Sequence, residues 1–118
     1  MKRLLVMLAA VFAVVVITAR PETGDGKSLF EKRCSGCHSL DHEKEGPRLG
    51  GVYGRAAGSV ASFNYSDALK STHITWDADT LDKWPAGPDK FVPDADMAFH
   101  VESATERRAI IAYLKEVR

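Results

Sequence analysis

Cys34-Ser35-Gly36-Cys37-His38 is the stretch whose reading decides the fold. Two thiols three positions apart, with an imidazole directly after the second, form the Cys-x-x-Cys-His pattern of covalent c-type haem attachment. Each thiol can form a thioether to one vinyl group of a single porphyrin. The histidine that follows is then held under the iron, where its ring nitrogen ligates axially. Two other chemistries use similar spacings. A zinc site needs further Cys or clustered His, yet the chain has only two Cys, and His42, His73 and His100 are scattered. A redox dithiol favours a βαβ context, and no alternating strand pattern of useful length occurs here. A disulfide between Cys34 and Cys37 would close a tiny loop and tie nothing distant together.

Working outward, the 118 residues suit one domain. Lys2 and Arg3 precede an unbroken apolar run at residues 4–17, and Thr18-Ala19 offers a small residue for cleavage. Residues 1–19 therefore read as a secretory signal peptide, with an uncleaved membrane anchor as the alternative; the run is shorter than the roughly 20 residues that span a bilayer. Residues 20–25 read as a short polar linker, and residues 26–118 as the domain. The chain balances 16 Lys+Arg against 16 Asp+Glu, so losing Lys2 and Arg3 leaves 14 against 16, a net charge of −2. No basic patch suggests nucleic acid. Export places the cysteines in an oxidising compartment, where haem attachment to such motifs also occurs.

The class is all-α with long loops. Residues 27–33 read as a short helix with Leu29 and Phe30 on its apolar side, started by Asp25 or Gly26. Residues 39–58 are rich in Gly, Pro and charge and read as loop. Residues 66–71 suit one or two helical turns. A better helix spans residues 77–84, capped by Thr75 or Asp77, with Pro85 expected to stop it at Trp84. Residues 86–97 read as extended loop. Ser103-Ala104-Thr105-Glu106 fits a capping box, and Ile110, Tyr113, Leu114 and Val117 make one amphipathic stripe. Loops this long are unusual in a compact domain unless they bind something, and a porphyrin gives their side chains a surface to pack on.

Several spaced stretches extend the haem motif. In order they are Gly46-Pro47-Arg48-Leu49-Gly50-Gly51-Val52-Tyr53-Gly54-Arg55, Phe63-Asn64-Tyr65-Ser66-Asp67-Ala68-Leu69-Lys70, Ile74-Thr75-Trp76, and Thr80-Leu81-Asp82-Lys83-Trp84. Then come Pro88-Asp89-Lys90-Phe91-Val92-Pro93, Met97-Ala98-Phe99 and Ile110-Ile111-Ala112-Tyr113-Leu114-Lys115. This series resembles the class I c-type cytochromes over residues 26–115, and is most similar to the mitochondrial-type and related bacterial soluble cytochromes c. The resemblance implies the cytochrome c fold: three to five short helices and long loops around one haem c, bound through Cys34 and Cys37.

By residue type alone, Met97 is a core-gap filler, the usual role of methionine. The resemblance instead makes it the sixth iron ligand opposite His38, and His/Met ligation raises the reduction potential. It also matches Pro47 to the carbonyl that orients the proximal imidazole. Arg55, Tyr65 and Trp76 match residues around the inner propionate, a buried carboxylate that needs donors or a cation nearby. Trp84 matches an aromatic beside the methionine, Leu49 and Phe99 match apolar haem walls, and Gly26 and Phe30 match the crossing of the first and last helices near Ile110 and Tyr113. Some features depart from the family pattern. Lysines ring the exposed haem edge in mitochondrial-type members, whereas here Asp94 and Asp96 flank the Met97 loop, Asp89 is near and Lys90 remains. Ala95 lies where a hydroxyl often helps a propionate, and Pro85 falls inside a helix that the family continues further.

The function implied is a single-haem electron carrier, a monomer and not an enzyme, exported to the periplasm. Its partners would be redox proteins such as a quinol–cytochrome c reductase, a terminal oxidase or a periplasmic dehydrogenase. It would touch a membrane only if residues 1–19 are retained, as an anchored subunit of a respiratory or dehydrogenase complex. A peroxidase-like enzyme is the competing class and needs an open sixth position.

Overall fold

The last helix organises the fold, because its apolar stripe is the surface on which the first and third helices pack. The computed structural model of the chain describes residues 11–17 and 23–118. Five helices follow in order among the described residues: α1 Thr23–Arg33, α2 Asp67–Lys70, α3 Ala78–Ala86, α4 Pro88–Phe91 and α5 Ala104–Glu116. Among the described residues the only β pairing is an isolated antiparallel bridge, Ala56 with Thr75. The expected all-α architecture with long loops is what is found.

Helix α5 buries Ala109, Ile110, Ile111 and Leu114, and each large aliphatic side chain so buried contributes roughly 1.5–3 kcal/mol. Helix α1 crosses it at Gly26, where a side chain would run into the Ala109 carbonyl oxygen and come within 2.8 Å of Tyr113 Cβ. Phe30 packs beside Tyr113 with ring centroids 5.6 Å apart. At the far end of α1, Arg33 forks onto Glu106, with Nε donating to Oε2 at 3.0 Å and the second guanidinium nitrogen to Oε1 at 3.2 Å. The expected crossing of first and last helices is therefore present.

Four boundaries depart from the sequence reading. Helix α1 begins at Thr23, so residues 23–25 are helical and not linker. Helix α3 does not stop at Trp84 but includes Pro85 and ends at Ala86. Proline near a helix C-terminus removes a single i→i−4 bond, and the Gly87 N–H closes the end on the Lys83 and Trp84 carbonyls. Residues 86–97 are not wholly extended, because Pro88–Phe91 form α4 with proline at the first helical position, where its missing N–H costs nothing. The reciprocal capping box belongs to α3: the Thr80 N–H donates to Asp77 Oδ1 and the Asp77 N–H to Thr80 Oγ1, both at 2.9 Å. Ser103 caps α5 by accepting from the Glu106 N–H at 3.2 Å, but the Glu106 carboxylate is given to Arg33.

Among the described residues no helix is long and apolar enough to cross a membrane. Of the expected leader, residues 1–10, 18 and 19 lie outside the described residues. Val11, Phe12 and Ile17 are exposed.

Candidate functional site

The Cys-x-x-Cys-His stretch turns directly off the end of α1. The Cys34 and Ser35 N–H groups donate to the Phe30 carbonyl (2.8 and 3.1 Å), and the Cys37 and His38 N–H groups to the Cys34 carbonyl (3.2 and 2.9 Å). This one extra turn fixes both thiols and the imidazole relative to the helix. Both cysteines are free. Cys34 packs against the core, and burial followed by the neighbouring Cys37 pushes its thiol up to about 11. Cys37 is exposed and donates to Glu45 Oε2 at 3.6 Å. Burial and that carboxylate raise its pKa as well. Two free thiols within one turn suit thioether formation to two vinyl groups.

His38 is held by the loop that follows. Its Nδ1 lies 2.7 Å from the Pro47 carbonyl oxygen. A carbonyl can only accept, so Nδ1 carries the proton and Nε2 keeps a free lone pair. Burial lowers the His38 pKa; the Pro47 bond opposes this, and Arg55 and Lys44 add to it. The imidazole is thus neutral, the form that ligates metals. The loop reaches the ring because residue 46 is glycine: a Cβ there would stand 2.6 Å from His38 Nδ1 and 2.8 Å from Nε2. Straps fix the loop, with Gly46 N–H donating to the Cys37 carbonyl (2.8 Å), Leu49 N–H to Ser39 (2.8 Å) and Gly50 N–H to Leu40 (2.9 Å). Lys44 Nζ ties the same loop to the Ser35 carbonyl at 2.7 Å.

A second cluster forms around Arg55. The Trp76 N–H donates to the Arg55 carbonyl (2.9 Å), Gly54 N–H to Trp76 (2.6 Å) and Ala57 N–H to Ile74 (2.8 Å), so two distant segments lie side by side. Buried Trp76 meets half-buried Trp84 with centroids 5.7 Å apart. The Tyr65 hydroxyl is buried and accepts from the Val60 N–H at 3.1 Å, which leaves its own proton to donate. Arg55 is half-buried, and burial lowers its pKa while the nearby Tyr65 opposes this. Its guanidinium donates to the Arg48 carbonyl at 2.8 Å and the Gly50 carbonyl at 3.4 Å. Among the described residues no carboxylate forms an ion pair with it. A partly desolvated cation beside a free phenolic proton is a receptor for an anion, and a haem propionate fits that donor set.

Leu49 from the loop and Trp84 from α3 pack on the core, whereas Met97 and Phe99 do not join it. Met97 is half-buried and Phe99 is 48% exposed. Met97 therefore does not fill a core gap. It follows a turn in which the Ala95 N–H donates to the Val92 carbonyl at 3.3 Å, with Pro93 second and Asp94 third at φ 66°. A positive φ at the third position defines this turn class, and aspartate tolerates it better than most residues. Sequence reasoning assigned no role to Gly46, Lys44, Glu45 or Arg107. Only Gly46, next to Pro47, carried a visible signal.

Two thiols one turn apart, a neutral imidazole with a free Nε2 and a receptor for a buried anion, on an all-α frame, define a class I c-type cytochrome. Residues 24–118 match the Cytochrome c family, and the chain belongs to that family. It is 41% identical over 95 residues to cytochrome c of Gibberella zeae, covering 77% of this chain and 90% of the relative. It is 37% identical over 107 residues to cytochrome c of Arabidopsis thaliana, covering 87% and 96%. Among solved structures, cytochrome cH from Methylobacterium extorquens superimposes with a TM-score of 0.75 at 38% identity, covering 79% of this chain and 96% of that one. The chain is accordingly an electron carrier and not an enzyme, with haem c attached through Cys34 and Cys37, and its partners are other redox proteins.

Proposed function

We propose that the protein is an exported, periplasmic single-haem carrier whose iron is ligated by His38 and Met97. The haem supplies the one-electron couple between Fe(III) and Fe(II); the chain's residues keep its surroundings the same in both states. The bond from His38 Nδ1 to the Pro47 carbonyl, 2.7 Å long, carries the reading, because it aims Nε2 and makes the ring more basic. Arg55, Tyr65 and Trp76 take the inner propionate. Leu49, Trp84 and Phe99 exclude water as apolar walls. Met97 serves as the second axial ligand, supported by its place outside the core cluster.

The leader-like residues 1–19 support export, with residues 26–118 as the functional domain. Donors and acceptors would be a quinol–cytochrome c reductase, a terminal oxidase or a periplasmic dehydrogenase, met by the monomer in brief, partly electrostatic encounters. Retention of residues 1–19 would instead make an anchored subunit with the same redox chemistry. The N-terminal mass of the protein from soluble and membrane fractions separates the two.

The decisive experiment is a pyridine haemochrome with the native optical spectrum. Two thioethers, a low-spin ferric state and a methionine-to-iron charge-transfer band that vanishes in Met97→Ala are expected. A high-spin ferric spectrum with immediate cyanide binding would refute Met97 as ligand and favour an enzyme-like open site.

A further inference from the structure

In backbone pairing the segment that carries Met97 is held only at its two ends, and the ion-pair contact along it is His100 Nε2 with Asp89 Oδ1 at 3.4 Å. No backbone–backbone hydrogen bond among the described residues begins or ends on residues 96–100. Its entry is the turn on buried Val92. Its exit is Val101, 3% exposed, whose N–H donates to the Pro85 carbonyl at 2.8 Å. That carbonyl is free to accept because α3 ends one residue later, at Ala86.

The same exit point is gripped from the other side by Arg107 of α5. One terminal nitrogen of its guanidinium donates to the Val101 carbonyl at 2.9 Å and the Glu102 carbonyl at 2.8 Å. Its Nε donates to Asp82 Oδ1 at 2.8 Å, and the side chain is only 12% exposed. Asp82 lies on α3, two residues before Trp84. One side chain therefore joins α5, the part of α3 that carries Trp84, and the exit of the Met97 segment.

We propose that Arg107 is a positioning residue for the redox centre: by clamping the Val101 and Glu102 carbonyls to Asp82, it limits how often the Met97 segment swings away from the iron. The inference rests on Met97 being the sixth ligand. Arginine suits the task because its planar fork donates in two directions at once, which lysine cannot reproduce. Arg107 touches neither ligand, and its effect passes through the backbone of residues 101–102.

Cyanide binding to the ferric holoprotein tests this. Cyanide can bond the iron only after the Met97 sulfur leaves it, so its limiting rate at saturating cyanide reports segment opening. Arg107→Ala should raise that rate by about tenfold or more, as expected for loss of charge-assisted bonds at the exit, while the charge-transfer band persists without cyanide. Arg107→Lys should raise it in the same direction and carries the test should the alanine variant fail to fold. Arg33→Ala, which removes the other buttress of α5, is the control for general destabilisation. Variants of Arg107 that accelerate cyanide no more than Arg33→Ala at matched unfolding midpoints overturn the inference alone. A parent protein without the charge-transfer band overturns the Met97 reading, and the inference with it.

Discussion

Replacing Gly46 by alanine probes the contact between loop and imidazole on which the proposed ligation by His38 depends. The new Cβ would run into His38 Cε1 and stand 2.6 Å from Nδ1, where ordinary contacts begin at 3.4 Å, so ring or loop must give by at least roughly 0.8 Å. The loop cannot retreat freely, because the Gly46 N–H is bonded to the Cys37 carbonyl at 2.8 Å. Taken up along the His38–Pro47 bond, the shift stretches 2.7 Å to about 3.5 Å, beyond useful hydrogen-bond range.

Overpacking of this kind costs typically about 1–3 kcal/mol, and the lost bond adds about 1 kcal/mol. Denaturant unfolding of the holoprotein should therefore show a loss of about 2–4 kcal/mol. The potential should move too. A proximal imidazole that no longer gives its proton to a carbonyl is a poorer electron donor, so Fe(III) is less stabilised and the reduction potential rises. Equilibrium unfolding and redox titration on the same sample read both effects. An alanine variant with unchanged midpoint and unchanged potential would refute the reasoning, since it would show that the ring does not depend on residue 46.

Three further outcomes follow from other parts of the fold. Gly26→Ala should destabilise the protein, although helix propensity alone would stabilise it by about 1 kcal/mol, because the added methyl meets the Ala109 carbonyl and Tyr113 Cβ; a raised thermal midpoint would show that α1 and α5 can separate without loss. The Arg33 hydrogen bond holds the Glu106 carboxyl below its ordinary range, so its contribution is present above the unfolded-state pKa and is lost as pH falls through the folded one. Glu106→Gln should therefore flatten the acid side of the stability profile between about pH 5 and pH 3, read as thermal midpoints against pH. Exposed Asp89, Asp94 and Asp96 near the Met97 segment predict weak steering toward acidic partners. Stopped-flow electron transfer should slow little with added salt for an acidic partner, and a steep fall would contradict it.

What could be read from the residues divides by range of interaction. The stripe Ile110, Tyr113, Leu114 and Val117 declares α5 because its period is local, and Asp77 declares the start of α3 for the same reason. The haem motif was equally legible, as it needs only neighbours within one turn, whereas the role of Pro47 came from the family resemblance. Glu106 marks the limit. It has the spacing of a capping-box residue, yet it serves Arg33, 73 positions away, and no local pattern contains that choice. Pro85 fails similarly. A preceding-residue rule stops the helix at Trp84, but the packing of Trp84 on Trp76 holds that residue helical, and tertiary contact overrides a preference of this size. Arg107 carried no signal at all, since its three acceptors come from α3 and from the loop before α5.

The same division explains why the Met97 side of the site was harder to derive than the His38 side. Around His38, four backbone bonds within one turn and three loop straps fix the geometry before any cofactor is considered. Around Met97 the chain supplies a turn with Asp94 at φ 66°, a single anchor at Val101, and nothing between them in backbone pairing. Ordering five residues without hydrogen bonds costs conformational entropy of about 1–2 kcal/mol each, which a single packed methionine cannot offset. In the proposed ligation, a bond from the Met97 sulfur to iron would offset part of that cost, and clamps at the segment's ends would reduce it further by narrowing the alternatives. On that proposal, ligation and loop order form one equilibrium. A residue such as Arg107, remote from the iron, would then move its ligand without touching it.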